Sequence, residues 1–142
     1  MADKPIIEMS RYCVPFTPFT RRLEEAVVAI VSTAAVHHVD DPPFEVEGDL
    51  SFRVIPGTAP GSDLRIADAH YDHGCVDQDI NCVFPIDRLM ELSREQRIGG
   101  VAEKHFSLGF TQALRQLRDE TVPVLVEEVR RVRPDAVLLT GG

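Results

Sequence analysis

Ala26-Val27-Val28-Ala29-Ile30-Val31 decides the reading of this chain: six consecutive apolar residues, four of them β-branched. A strand with one wet face alternates apolar and polar side chains, whereas a strand covered on both faces of a mainly parallel sheet is apolar throughout. The stretch is therefore predicted to be a central strand. It is far short of the roughly 18 apolar residues of a membrane span. A second strand, Asp135-Ala136-Val137-Leu138-Leu139-Thr140, enters directly from a helix, as an α/β unit does. If the two are parallel neighbours, their carboxyl ends form one edge, where ligands collect in open α/β sheets. The His37-His38-Val39-Asp40-Asp41 loop and the Thr140-Gly141-Gly142 tail are expected to share that edge.

Between these strands, Leu50 to Ile55 alternates in part and stops at Pro56-Gly57, which reads as another strand. Pro85 and Asp87 suit a helix N-terminus, with Ile86, Leu89 and Met90 on one face and an end near Gln96 to Gly99. Leu114 and Leu117 start a further helical stretch. Thr121 and Pro123 restart it, Val122, Leu125, Val129 and Val132 keep helical spacing, and Pro134 ends it. Pro15 and Pro18 separate Phe16 from Phe19 in an extended N-terminal arm. Residues 32–48, with Pro42-Pro43, and residues 63–82 are predicted to be two long polar loops. The expectation is one domain over residues 1–142: α/β, with a mainly parallel sheet and flanking helices in a Rossmann-like three-layer arrangement.

Composition narrows the function classes. A length of 142 residues suits one core. Fifteen Lys+Arg against 23 Asp+Glu give a net charge of −8, which repels phosphate backbones and anionic membranes. The arginines at 115, 118, 130, 131 and 133 are interleaved with Asp119, Glu120, Glu127 and Glu128, so nucleic acid is not an expected partner. The start lacks a basic region followed by an apolar one, and three cysteines without a CxxC pair argue against a disulfide framework. A reducing cytoplasm is the expected location.

The chemistry concentrates in the two polar stretches. His37, His38 and Asp40 in one, and His70, Asp72 and His73 in the other, combine imidazole with carboxylate as zinc, iron or manganese sites do. Against this, such residues cap turns and satisfy backbone groups. Without a metal, His70, Asp72 and His73 are the candidate acid and base groups. Cys82 precedes a helix N-terminus, which favours a thiolate, while its neighbours Val83 and Phe84 favour inert packing. His37, Asp41, Arg53 and Asn81 are candidate substrate-binding groups, with Arg53 either holding a substrate carboxylate or pairing with Glu45, Glu47 and Asp49. His105 reads as a core or surface histidine. Phe16, Phe19 and Phe44, if exposed, would form apolar patches that a homodimer covers.

An ordered set of short motifs spans almost the whole chain. They are Val14-Pro15-Phe16-Thr17, the strand and loop from Ala29 to His37, Asp41-Pro42-Pro43-Phe44 with Glu47-Gly48-Asp49, Phe52-Arg53-Val54-Ile55-Pro56, His70-Tyr71-Asp72, Asp79-Ile80-Asn81 with Val83-Phe84-Pro85, Asp87-Arg88-Leu89 and Asp135 to Leu139. Together they resemble the selenoprotein B family, the substrate-specific subunits of glycine, sarcosine, betaine and D-proline reductases. The resemblance implies an α/β oxidoreductase domain that reductively cleaves a carbon–nitrogen bond of a small amino-acid-like substrate, with electrons from a dithiol partner. In those reductases a selenocysteine or cysteine follows the strand matching Ala136 to Thr140. This sequence stops at Gly142, so that residue is carried over to no position, and the expectation is a short relative lacking the motif. Two other classes remain open: a metal-dependent hydrolase or lyase acting on a small polar metabolite through the His/Asp stretches, and a non-catalytic subunit or binding module.

Overall fold

The computed structural model describes residues 18–70 and 72–141. The Val14–Thr17 motif, Cys13, Phe16, Tyr71 and Gly142 lie outside them. Strand β1 (Val27–Ser32) is central, as its unbroken apolar run requires. One of its edges pairs in parallel with β7 (Ala136–Thr140), Val28 opposite Ala136 through Ser32 opposite Thr140. The other edge carries two short parallel pairings, with β5 (Gly100–Val101) and then β6 (Lys104–Leu108). Strand β3 (Phe52–Pro56) closes this sheet antiparallel to β6. A separate two-stranded antiparallel sheet joins β2 (Val36–His38) to β4 (Leu64–Ile66).

Alternation along β1 sends its side chains to two cores. Val28 and Ile30 pack in a cluster with Ile55, Phe84, Ile86 and Leu89. Val31 packs in the other, with Phe106, Leu108, Leu125 and Val129. Helix α1 (Gly74–Gln78) and helix α2 (Ile86–Arg94) contribute to the first core, α2 through Ile86 and Leu89. Helix α3 (Leu114–Gln116) runs through a π-helical turn (Leu117–Thr121) into α4 (Val122–Val132), which presents Leu125 and Val129 to the second core. Pro123 has no N–H to give, and it follows directly on the π-helical turn, which closes with the Val122 N–H on Leu117 O. At its end Arg133 turns left-handed at φ 54, and Pro134 prevents continuation. Asp135 then accepts the Val27 N–H at 2.9 Å, aligning β7 with β1 from its first residue.

The register on the second edge of β1 contains a defect with a specific repair. Val27 faces Gly100, a separation of 73 positions, but Val31 faces Phe106, a separation of 75. Two extra residues therefore bulge out of the strand between β5 and β6, and backbone pairing is interrupted opposite the middle of β1. The Ile30 N–H would be left unpaired in the core at a cost of about 1–3 kcal/mol. It donates instead to Nδ1 of His105 at 3.0 Å. The His105 ring, with no exposed surface, takes the place of a main-chain carbonyl and packs edge-on to Phe84.

The expected α/β class and the parallel pairing of β1 with β7 are present, but the sheet is mixed. A mainly parallel Rossmann-like layering does not describe the antiparallel β3 edge and the separate β2–β4 ribbon. The two predicted loops are not structureless: β2 interrupts the first, and β4, α1 and a 3-10 turn (Ile80–Cys82) occupy the second. Long-range pairing of His37 with Arg65 and His38 with Leu64 overrides the polar local composition. Helix α2 stops at Arg94, short of the expected Gln96 to Gly99, as Gln96 adopts φ 56. Phe44 is buried rather than exposed, with the Arg53 guanidinium 4.3 Å above its ring, while Phe19 is half exposed. No helix among the described residues is long and apolar enough to cross a membrane.

Candidate functional site

The carboxyl ends of β1, β6 and β7 meet at one edge, and β4 delivers a fourth segment to it. After β1 the chain turns through Thr33, Ala34 and Ala35. Ser32 Oγ accepts the Ala34 N–H, and Ala35 is held left-handed at φ 51 with its N–H on the Leu108 carbonyl. This turn leaves Thr33 at the edge, its N–H donating to Thr140 O at 3.1 Å. Because Ile66 pairs with Val36 and the Ala67 N–H reaches Ala35 O, the residues after β4 emerge beside Thr33. Those residues are Asp68, Ala69 and His70.

They border a cavity of about 320 Å³ whose lining includes Thr33, Asp68, His70, Phe110 and Thr111. The Asp68 side chain is 6% exposed, and one of its oxygens accepts both the His70 backbone N–H (2.7 Å) and the His70 Nδ1–H (2.9 Å). An ionised carboxylate only accepts, so the proton on this contact sits on Nδ1, and Nε2 is left as the ring's free lone pair. The ring stacks on Phe110 with centroids 3.7 Å apart and planes 23° apart. One ring hydrogen bond and one stacking face thus fix an imidazole that is still partly open to solvent. Gly109, next to Phe110, permits this placement: a Cβ there would stand 2.7 Å from the Phe44 ring and 2.9 Å from Asp49 Cβ. Thr140 adds a buried hydroxyl without a hydrogen-bond partner at the end of β7. The edge thus sets an oriented imidazole beside the cavity.

The other sequence-derived candidates do not converge here. His73 Nδ1 contacts Asp77 at 2.9 Å on α1, and Asp72 accepts the Gly74 N–H, so both shape the start of that helix. His37 is buried in β2 with Nδ1 on the His38 carbonyl, while His38 Nδ1 accepts the Asp40 N–H. The expected sharing of an edge by the His37–Asp41 segment and Thr140 is thereby replaced by Thr33. Among the described residues, no group of three or more His, Cys, Asp or Glu is placed to hold a metal ion. Arg53 is bound by the loop it crosses, donating to Pro42 O, Pro43 O and Ser51 Oγ, with Asp49 at 3.9 Å. Asp41 donates its N–H to His38 O. Cys82 is exposed rather than packed, four residues before α2 begins.

Asn81 lies in a larger cleft of about 700 Å³ bordered by β4, α1 and the start of α2. Its amide donates to Asp79 and Asp87 and accepts the Asp87 N–H, while Asp87 also accepts the Gly61 N–H. The Asn81 side chain and backbone N–H hold the Asp79 carboxyl below its ordinary range. These polar groups are spent on one another, joining the turn before α2 to the segment before β4. Asp49 is likewise held low: burial opposes its charge, but hydrogen bonds from Ser51 and Glu45 outweigh that.

From sequence, Asp68 was one of several carboxylates grouped with His70 and was not chosen among them, and Phe110 was not singled out. A signal for Asp68 existed, since side chains two residues apart in an extended chain share a face. It applied equally to Asp72, and only the turn into α1 separates the two. Phe110 comes from 40 positions away and left no local trace.

In an α/β chain, polar groups at the carboxyl edge of a parallel pair lie where ligands collect, and comparison with known proteins finds a relative to set beside this geometry. The chain is 39% identical over 130 residues to the D-proline reductase subunit gamma of Acetoanaerobium sticklandii, covering 89% of this chain and 53% of the relative. It is thus related to a reductase subunit, and spans about half that relative's length. No family model matches the sequence, and no solved structure matches it.

Proposed function

We propose that this chain forms part of a selenoprotein B-type reductase that cleaves a carbon–nitrogen bond of a small amino-acid-like molecule, with a dithiol partner as reductant. The observation that carries this reading is the 39% identity to the D-proline reductase subunit across most of the chain. The reaction requires two electrons and two protons: the bond's carbon and nitrogen each finish with a hydrogen, and the dithiol becomes a disulfide. His70 is suited to carry a proton to the departing nitrogen, with Asp68 orienting its ring. The sulfur or selenium that meets the substrate is assigned to no described residue of this chain; the partner's thiol approaches the Thr140 edge. The metal-dependent hydrolase reading has no comparable support, because its six proposed ligands are not gathered into a site.

Reconstitution tests this. The chain is combined with the other reductase subunits, D-proline and dithiothreitol, and the ring-opened 5-aminopentanoate is quantified. Product that depends on the chain, and falls about 10²-fold on His70→Ala while the assembly remains intact, supports the reading. Equal product without the chain contradicts it.

A further inference from the structure

Strand β7 has the sequence of a strand buried on both sides, yet it lies open. Its middle residues are Val137, Leu138 and Leu139, with 39%, 38% and 74% of their surfaces exposed. Parallel strands are ordinarily covered on both faces, and β1, which β7 pairs with, is. Among the described residues, β7 pairs with β1 alone, so its outer edge is bare. The Asp135 N–H points to Val27 O. By the two-residue period of a strand, the N–H groups of Ala136 and Leu138 then point to the bare edge. Beside β7 runs an almost purely apolar groove of about 300 Å³, whose lining includes Val31, Leu125, Val126, Val137 and Leu139, with Arg130 at its border. An apolar strand edge of this kind is a template for another strand.

We infer that β7 is an internal junction. The polypeptide that covers it is a second α/β unit, the counterpart of the part of the reductase subunit that this chain does not match. The occupant is argued from size and from shape. The chain spans 53% of its relative, so a little under half of that protein, enough for several strands and helices, lies outside the match. The bare edge calls for a strand that extends the sheet beyond β7, and the groove calls for an apolar helix face over Leu139 and Val126. The inference rests on the likeness to the subunit and not on the reaction, so an inactive but correctly assembled complex would leave it standing.

Co-expression of this chain with the unmatched part of the Acetoanaerobium sticklandii subunit tests it, read by co-purification and by hydrogen exchange of this chain alone and in the complex. The expected result is a one-to-one complex in which the Ala136 and Leu138 amides exchange at least about tenfold more slowly than in the chain alone, and which Leu139→Lys abolishes. Leu139 is mostly exposed, so that variant keeps the fold, checked by an unchanged unfolding midpoint. Three results would overturn the inference: no co-purification when circular dichroism shows both polypeptides folded, a complex that leaves β7 exchange unchanged, or a homodimer of this chain that Leu139→Lys dissolves.

Discussion

His105 and His70 are the same side chain put to opposite uses. His105 has no exposed surface and accepts a main-chain N–H through Nδ1. His70 is open to the carboxyl edge and donates through Nδ1 to a carboxylate. The two rings therefore hold opposite tautomers. In the first the imidazole substitutes for backbone, and burial pushes its pKa down from 6.5 to about 4. In the second a buried Asp68 fixes the ring and leaves Nε2 toward the cavity. What distinguishes them is the element beside each ring: a strand that has lost its register, or a segment that ends beside Thr33.

The largest expected effect breaks the first half of this contrast. His105→Ala removes the ring contacts with Phe84 and strands the Ile30 N–H, and should cost roughly 3–5 kcal/mol in urea unfolding. Acid should then reveal the same residue. Because the folded pKa lies below the unfolded one, the unfolded chain takes up the proton first. The stability associated with neutral His105 is complete above pH 6.5, declines as pH falls through the window to about 4, and is gone below it. The size is roughly 3 kcal/mol. His105→Leu should remove that pH-dependent portion, and persistence of the same acid slope in the variant would refute the assignment.

The second half of the contrast is probed by variants that spare the fold. His70→Ala should alter stability by less than about 1 kcal/mol in the same unfolding experiment, since the ring is partly exposed. Asp68→Ala removes the acceptor that holds the proton on Nδ1, so nitrogen NMR should show the His70 proton shifting toward Nε2. The smallest effect is expected at Ala35. Glycine relieves its left-handed backbone at φ 51 but adds freedom to the unfolded chain, for a net gain of within about 1 kcal/mol by thermal unfolding.

The same contrast shows what was legible in the sequence. The apolar run at 26–31 and the helix-to-strand passage into Ala136–Thr140 are local patterns of sufficient length, and both led to the right pairing. His70 stood out because polar residues crowd around it. Strands β2 and β4 were missed because each has only three residues, and their pairing is settled by contacts about 30 positions apart. The role of His105 was invisible because it depends on a two-residue slip between strands that no local pattern records. Metal-site reasoning gathered His37, His38, Asp40, His70, Asp72 and His73 by nearness in sequence, but β2 and α1 draw them into separate local bonds.

The central claim is that the carboxyl edge, with His70 as its oriented imidazole, receives the small-molecule substrate. Long-range nitrogen–proton NMR of the histidine rings during titration with D-proline tests it most directly. The account predicts His70 as the Nδ1–H tautomer and His105 as the Nε2–H tautomer, with added D-proline moving the His70 nitrogens and leaving those of His105 in place. A His70 signal unchanged at saturating D-proline would contradict it.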